Sequence, residues 1–188
     1  MMKTSRLQLR TLSRTDAPAV LEYVLRNRHF LQDWEPARED AYYTLESQEE
    51  LLEQDSAATA SGQLWKGWIV HPDNPEIILG SVALSNIVRG IFLSCHLGYR
   101  LDQHALNQGY MTEALEAAIR YAFDELKLHR IEANIMPRNT ASLRVVQKLG
   151  FQEEGIARSY LYINGKWEDH IHMVLLNEAL EMKGGQQP

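Results

Sequence analysis

Two segments of this sequence have residue types and spacings that suit the binding of a phosphate-bearing ligand. The first contains Leu97–Leu101, a loop at 102–108 and Gly109–Leu115, so that a strand, a loop and a helix start follow one another. Unpaired N–H groups and the positive end of the helix dipole favour a phosphate there, and a glycine allows close approach to the backbone. Thr112 adds a hydroxyl in the first helical turn. The alternative is that Gly109 simply turns the chain.

The second segment, residues 130–151, places Asn139 and Ser142 one helical turn apart and ends with Gly150 and Phe151. Taken alone, the pair indicates a helix N-cap followed by a solvated serine. The pairing with the first segment, about thirty residues earlier, favours a shared ligand instead.

These segments belong to a regular succession of predicted elements. Alternating and β-branched residues predict strands at 6–10, 64–71, 77–86, 91–101, 130–136, from 151 to the Asn164-Gly165 turn, and at 167–176. Helical spacing and caps predict helices at 16–26, 44–60, 110–127 and 139–149, with an ordered loop at 27–38. The order β-α-α-β-β-β-α-β-α-β-β describes one mixed α/β sheet flanked by helices.

Composition sets limits on the class of protein. With 188 residues and 45% hydrophobic composition, we expect a single domain over 1–188 with a frayed tail at 183–188. No apolar run indicates a secretion signal or a membrane span, and the lone Cys95 indicates a reducing compartment, so we expect a cytoplasmic protein. A net charge of −6 without a basic stripe argues against nucleic acid as a direct ligand.

The two ligand-binding segments together resemble the acyl-coenzyme A core of the GNAT superfamily. The resemblance extends to Asn27–Leu31 with Trp34-Glu35-Pro36, to Ser85–Gly90, and to Asn164–Trp167 with Asp169-His170. These irregular segments are similar to the RimJ side of the ribosomal-protein-alanine N-acetyltransferases (RimJ/RimL). The resemblance implies a GNAT fold: a mixed, mostly antiparallel sheet of about seven strands with about four helices.

The resemblance also implies roles for individual residues, with acetyl-coenzyme A as cosubstrate and no metal. Backbone groups of Tyr99 and Leu101, on a strand that splays from its neighbour, would bind pantetheine and supply an oxyanion hole. Asn139 and Ser142 would lie along the pantetheine arm near the sulfur. The pyrophosphate would be bound by the amides of Gln108, Gly109, Tyr110, Met111 and Thr112.

Three positions differ from the usual family pattern in the phosphate loop, and one differs near the sulfur. Leu106, Asn107 and Met111 stand where relatives have a Gln or Arg and small residues. Val146 stands where many relatives have a tyrosine that protonates the leaving thiolate. Ser142 is therefore the remaining candidate acid.

On the acceptor side, the resemblance makes Trp34 and Glu35 the candidate substrate residues, with Glu35 as base or amine anchor. A surface carboxylate is the alternative for Glu35. Cys95 is interpreted as a packed side chain, and His96, His170 and His172 lie on predicted strands without partners typical of a metal site.

We expect an enzyme that acetylates an amine by direct transfer. The leading hypothesis for the acceptor is the N-terminal α-amine of a protein, such as a ribosomal protein beginning with alanine or serine. A small amine is the alternative: a polyamine, an amino sugar or an amino acid. A non-catalytic acyl-coenzyme A-binding module is a third hypothesis.

Overall fold

The computed structural model describes residues 1–181. The predicted frayed tail at 183–188 lies outside the described residues. The strands are β1 Met2–Lys3, β2 Gln8–Arg10, β3 Trp65–His71, β4 Asn74–Val88, β5 Ser94–Leu101, β6 Arg130–Ile135, β7 Gln152–Ile163 and β8 Lys166–Leu176. The helices are α1 Ala17–Leu31, α2 Leu45–Ala60, α3 Tyr110–Arg120, α4 Thr140–Lys148 and α5 Glu178–Glu181.

All eight strands form one sheet in the order β1-β2-β3-β4-β5-β6-β8-β7. Neighbouring strands are antiparallel except β5 and β6, which are parallel. The sheet is therefore mixed and mostly antiparallel, as predicted.

The two parallel strands pair over only part of their length. Their register runs from Ser94 opposite Arg130 to His96 opposite Glu132, whereas β5 continues to Leu101 and β6 to Ile135. Beyond His96 the strands separate and leave a gap near the middle of the sheet. The separation of β5 from β6 is the strand splay that the family resemblance implies.

Each face of the sheet is covered by its own pair of helices. The amphipathic α3 buries Met111, Ala114, Leu115 and Ala118 at helical spacing against one face, where α4 contributes Val146. On the other face, α1 and α2 pack against Trp68 and neighbouring residues of β3 and β4. Side chains alternate across β5 and β6, so the gap is accessible to residues of both faces.

Several boundaries differ from the sequence-based predictions. The predicted loop at 27–38 is wrong in its first part, because α1 continues past Arg26 to Leu31. Asn27 is fully buried and bonds to the Tyr23 carbonyl and to Asp102, 75 residues away, a partner that local sequence does not reveal.

The strand and helix counts also exceed the predicted values. Met2–Lys3 pairs with β2, which makes eight strands rather than about seven, and α5 is a fifth helix. The strand predicted from Ile91 begins at Ser94 instead, because Ile91 is fully exposed in the turn before it. The long helix predicted to Lys127 is α-helical to Arg120 and continues as a π-helical turn.

None of the helices in residues 1–181 combines the length and apolar character that crossing a membrane requires.

Candidate functional site

A cavity of about 790 Å³ occupies the gap between β5 and β6. Its volume falls within the range of sites for cofactors and small molecules. It brings together nearly all the residues that the sequence singled out, namely Trp34, Glu35, Tyr99, Leu101, Gly109, Tyr110, Met111, Thr112, Asn139 and Ser142.

Gln108 is the one predicted site residue outside the cavity wall. Its carbonyl accepts a hydrogen bond from Arg6 (2.9 Å), and its side-chain amide donates to the His104 carbonyl (3.2 Å). It lies in the turn that leads into α3, and its side chain is engaged elsewhere.

The start of α3 forms one end of the cavity. Gly109 adopts a left-handed conformation with φ of +77°, which glycine tolerates without the steric cost of a Cβ. In the described part of the chain, no side chain caps this helix start. The first N–H groups of α3 and the positive end of its dipole are therefore available to an anionic ligand.

The start of α4 forms the neighbouring wall. Asn139 is its N-cap, as predicted, and the Asn139 Oδ1 accepts a hydrogen bond from the Ser142 amide at 3.1 Å. The cap places both side chains on the cavity lining. Farther along the same helix, the exposed cations Arg144 and Lys148 also line the cavity. Their positive charge adds to the attraction for an anion.

A tyrosine of β5 contacts the serine of α4. The Tyr99 hydroxyl lies 2.6 Å from Ser142 Oγ and 3.2 Å from the Ser142 carbonyl oxygen. Burial raises the pKa of Tyr99 to about 12, against a smaller opposing effect of the Ser142 hydrogen bond. Tyr99 is thus a neutral phenol throughout the physiological pH range.

On the opposite face of the sheet, Glu35 is held by a cation. The Arg100 Nη1 lies 3.4 Å from each carboxylate oxygen of Glu35, and the guanidinium lies 5.4 Å from the ring centroids of Tyr23 and Trp68. Burial by itself would lower the pKa of Arg100, but the charge of Glu35 and the interactions with the phenols of Tyr23 and Tyr42 outweigh it and raise the pKa. Arg100 is therefore a permanent cation that compensates the charge of Glu35.

The loop after α1 is fastened to β8. Arg138 stacks over Trp34, with its guanidinium carbon 4.9 Å from the ring centroid, and ion-pairs with Glu168 at 3.1 Å. Arg138 also donates to the Asp33 carbonyl at 2.8 Å. These contacts position Trp34 and Glu35 at the cavity.

Sequence reasoning missed several cavity residues. Arg144 and Lys148 are four residues apart on the helix that begins at Asn139, so their helical spacing could have identified them. His170 was considered only as a metal ligand, and in residues 1–181 no group of three His, Cys, Asp or Glu residues could hold a metal ion. Asn134 and Arg100 carry no local signal, because their role depends on strand order.

A mixed sheet split between two parallel strands, with an uncapped helix start at the split, defines the class of coenzyme A-dependent acyltransferases. The chain belongs to the GNAT acetyltransferase family, since residues 6–152 match the family described as acetyltransferase (GNAT) domain. It is accordingly an acetyl-coenzyme A-dependent N-acetyltransferase.

Named relatives and solved structures narrow the resemblance. The chain is 39% identical to the ribosomal protein uS5 alanine N-acetyltransferase of Escherichia coli over 90% of this chain and 87% of that protein. The structure of the ribosomal-protein-S5-alanine acetyltransferase of Vibrio fischeri is similar with a TM-score of 0.89 and 37% identity, covering 94% and 96% of the two chains. That of Mycobacterium smegmatis RimJ in complex with CoA-disulfide is similar with a TM-score of 0.85 and 26% identity, covering 94% and 88%. The predicted RimJ/RimL resemblance is confirmed.

Proposed function

We propose that this protein transfers the acetyl group of acetyl-coenzyme A to the N-terminal α-amine of a protein, with a ribosomal protein beginning with alanine as the leading acceptor. The observation that carries the proposal is the cavity through the split sheet, which has helix starts and a Tyr99–Ser142 pair on one face and Glu35 on the other. The 39% identity to an enzyme that acts on the alanine of uS5 supports the acceptor class.

In this proposal, the coenzyme enters along α3 and α4. Backbone amides from Gln108 to Thr112 bind the pyrophosphate, with the uncapped first turn of α3 as the main source of donors. Arg144 and Lys148 add positive charge at the cavity lining. Pantetheine pairs with the free edge of β5 at Tyr99–Leu101, since no described strand pairs with that edge beyond His96.

Two groups then act on the thioester. A backbone N–H of the free β5 edge stabilises the oxyanion that forms when the amine attacks the carbonyl carbon. As the C–N bond forms and the C–S bond breaks, Ser142 gives a proton to the leaving sulfur, with Tyr99 donating a hydrogen bond to the Ser142 oxygen. A thiol of pKa near ~8.5 requires only modest acid assistance.

The acceptor binds on the face of Glu35 and Trp34. Because Arg100 compensates the charge of Glu35, this carboxylate is better suited to hold an ammonium group than to remove its proton. An N-terminal α-amine has a pKa of about 7.7–8.0, so an appreciable fraction is neutral near pH 7, unlike a lysine with a pKa of about 10.4. The site therefore suits an α-amine better than a lysine.

The charge of the chain fits a protein acceptor. A net charge of −6 without a basic stripe favours a basic protein tail over nucleic acid or an anionic membrane surface. We place the reaction in the cytoplasm, where ribosomal proteins would be available as acceptors.

A panel of acceptors tests the proposal. Purified protein with acetyl-coenzyme A is offered a peptide beginning with alanine, the same peptide with a blocked N-terminus and an internal lysine, and spermidine. Thiol release and peptide mass report turnover. We expect acetylation of the free α-amine alone. Preference for spermidine would overturn the acceptor assignment, and coenzyme binding without turnover on any amine would indicate a non-catalytic module.

A further inference from the structure

Two hydrogen-bond acceptors lie on the wall of the cavity that β6 and β8 form. Asn134 is the second residue beyond the last β5–β6 pair, and His170 lies on the adjacent strand β8. Both line the cavity together with Glu35. Neither was assigned a role from the sequence.

Asn134 has an oxygen without a partner. Its Nδ2 donates to the Tyr160 hydroxyl at 3.3 Å, which orients the amide. Its Oδ1 is buried and has no hydrogen-bond partner among residues 1–181. A buried, unpaired carbonyl oxygen is unfavourable unless a ligand supplies the missing donor, and such groups are rare in native proteins.

His170, on the same wall, has one ring nitrogen that is free to accept a hydrogen bond. Only 3% of this residue is exposed, and its Nδ1 lies 3.1 Å from the Glu168 carbonyl oxygen. A carbonyl only accepts hydrogen bonds, so Nδ1 carries a proton, and in the neutral imidazole Nε2 then has the lone pair. No other residue within 1–181 hydrogen-bonds to Nε2.

One side chain connects the two acceptors. Tyr160 bonds to Asn134, and its ring centroid lies 5.5 Å from that of His170. Tyr160 enters this region through the irregular register of β7 between Ala157 and Leu161. Asn134 and His170 therefore line one wall with Tyr160 packed against both, and the Glu35–Arg100 pair lines the same cavity.

We propose that His170 Nε2 is the general base of the reaction and that Asn134 Oδ1 accepts a second N–H of the acceptor amine. The inference rests on the proposed function, because it assumes that an amine occupies this face of the cavity. The acceptor ammonium gives one proton to Nε2, and the neutral amine attacks the thioester carbonyl. As the C–S bond breaks, Ser142 gives its proton to the sulfur, which leaves as a thiol, and the remaining surplus N–H proton of the intermediate replaces the proton lost by Ser142. His170 then releases its proton to solvent, which balances the net release of one proton per turnover.

Several charged and titratable groups lie on the elements around His170. They come from every element packed around this wall: Glu35 after α1, Arg100 on β5, Glu132 on β6, Tyr160 on β7, and Glu168 and His172 on β8. Glu168 is paired with Arg138 and Lys166, and Glu132 with Arg130 and His172.

The test compares His170→Gln with His172→Gln. His172 lies two residues along β8, and its Nδ1 lies 3.0 Å from a carboxylate oxygen of Glu132, but it does not line the cavity. We expect His170→Gln to lower kcat/KM for the acceptor by about 10²-fold near pH 6.5, with recovery above pH ~8, where the α-amine is already largely neutral. His172→Gln should keep the wild-type profile, and Asn134→Ala should mainly raise the acceptor KM. Binding of acetyl-coenzyme A should stay unchanged in all three variants.

A wild-type pH profile in folded His170→Gln would overturn the inference. A measurement on the unmodified protein guards against a variant that fails to fold: ¹⁵N NMR of the imidazoles should show His170 with its proton on Nδ1, and a proton on Nε2 would contradict it. Each variant is assayed with the alanine peptide and with spermidine. If the wild type acetylates only spermidine, the proposed acceptor is wrong. The role of His170 as general base is then tested by the pH profile of His170→Gln with spermidine.

Discussion

The hydroxyl of Tyr99 on β5 lies 2.6 Å from Ser142 Oγ on α4, so the two elements that enclose the cavity meet at a pair of proton-bearing groups. Val146, which stands where many relatives have a tyrosine, is fully buried. In this chain a phenol reaches the cavity from the strand instead. Because the pKa of Tyr99 is about 12, its phenol stays protonated at neutral pH. It can therefore donate a hydrogen bond to Ser142 Oγ, which leaves the serine proton available to the ligand.

Removing these hydroxyls should affect turnover more than coenzyme binding. We expect Ser142→Ala to lower kcat by up to about 10²-fold, because in the proposed reaction the serine gives its proton to the leaving sulfur. Tyr99→Phe should lower kcat by about 3- to 10-fold, the effect of losing one orienting hydrogen bond. Steady-state kinetics and calorimetric titration with coenzyme A measure the two effects. Equal rates for Tyr99→Phe and wild type would remove Tyr99 from the mechanism.

Gly109 should be required for coenzyme affinity as well as for folding. Its φ of +77° and the approach of a ligand to α3 both exclude a side chain. Gly109→Val should raise the KM for acetyl-coenzyme A about tenfold or more, equivalent to one or two lost hydrogen bonds.

Gly62→Val is the matched control for this prediction. Gly62 has a φ of +72° in the turn after α2, with no atom near its missing Cβ. Both variants should lose about 1–2 kcal/mol of stability, because both force a β-branched residue into the left-handed region. Only Gly109→Val should change the KM. Equal KM values would make Gly109 a plain turn residue.

The parts of the site that the sequence predicted depend on local signals. Gly109 before a helical pattern and Asn139 before another each indicate a helix start from a few adjacent residues. The family resemblance then implied that Gly109 and Asn139 bind the same ligand. In the structure both helix starts line the same cavity.

The parts that were missed depend on strand order. In the sheet, β8 lies between β6 and β7, which brings His170 beside Asn134 and Tyr160 although 36 residues separate His170 from Asn134 in sequence. Similarly, Asn27 in the unpredicted last part of α1 hydrogen-bonds to Asp102, which is far away in sequence. No periodicity in a single segment reports such long-range partners.

Glu35→Gln should weaken acceptor binding specifically. The change removes the charge that would hold the acceptor ammonium, so we expect kcat/KM for the acceptor to fall by about 10²-fold, mainly through KM. Glu39→Gln, an exposed carboxylate four residues along the same loop, is the control for loss of one negative charge. An unchanged acceptor KM in Glu35→Gln would show that Glu35 does not bind the acceptor and serves only to pair with Arg100.

Cys95 should take no part in the reaction. It is fully buried, and burial raises its pKa to about 12, so at pH 8 only about one molecule in ten thousand carries a thiolate. Cys95→Ala should keep the wild-type kcat, and a thiol reagent should label the native protein slowly and the unfolded protein at once. Fast labelling of native protein, or a loss of kcat in the variant, would indicate an exposed or nucleophilic cysteine.

Acid should weaken the fold through Asp102, which joins the end of β5 to α1. Only 3% of this residue is exposed, and it accepts hydrogen bonds from Arg26 Nε (2.7 Å), Asn27 Nδ2 (3.0 Å) and the His104 amide (2.8 Å). Burial alone would raise the pKa of Asp102, but these hydrogen bonds outweigh it and lower the pKa. The resulting stabilisation is complete above the unfolded pKa of about 3.9 and is lost as pH falls through the lower, folded value.

Asp102→Asn should therefore destabilise the protein by about 1–3 kcal/mol at neutral pH. The difference from wild type should stay constant from pH 5 to 8 and shrink below about pH 4, where the wild-type carboxylate also takes up a proton. The control is Glu22→Gln, since Glu22 pairs with the same Arg26 at 3.2 Å but its side chain is 74% exposed, and such surface pairs contribute about 0–1 kcal/mol. Urea unfolding across this pH range measures both variants. A difference for Asp102→Asn that does not shrink in acid would show that the geometry of the amide, rather than the lost charge, weakens the junction between α1 and β5.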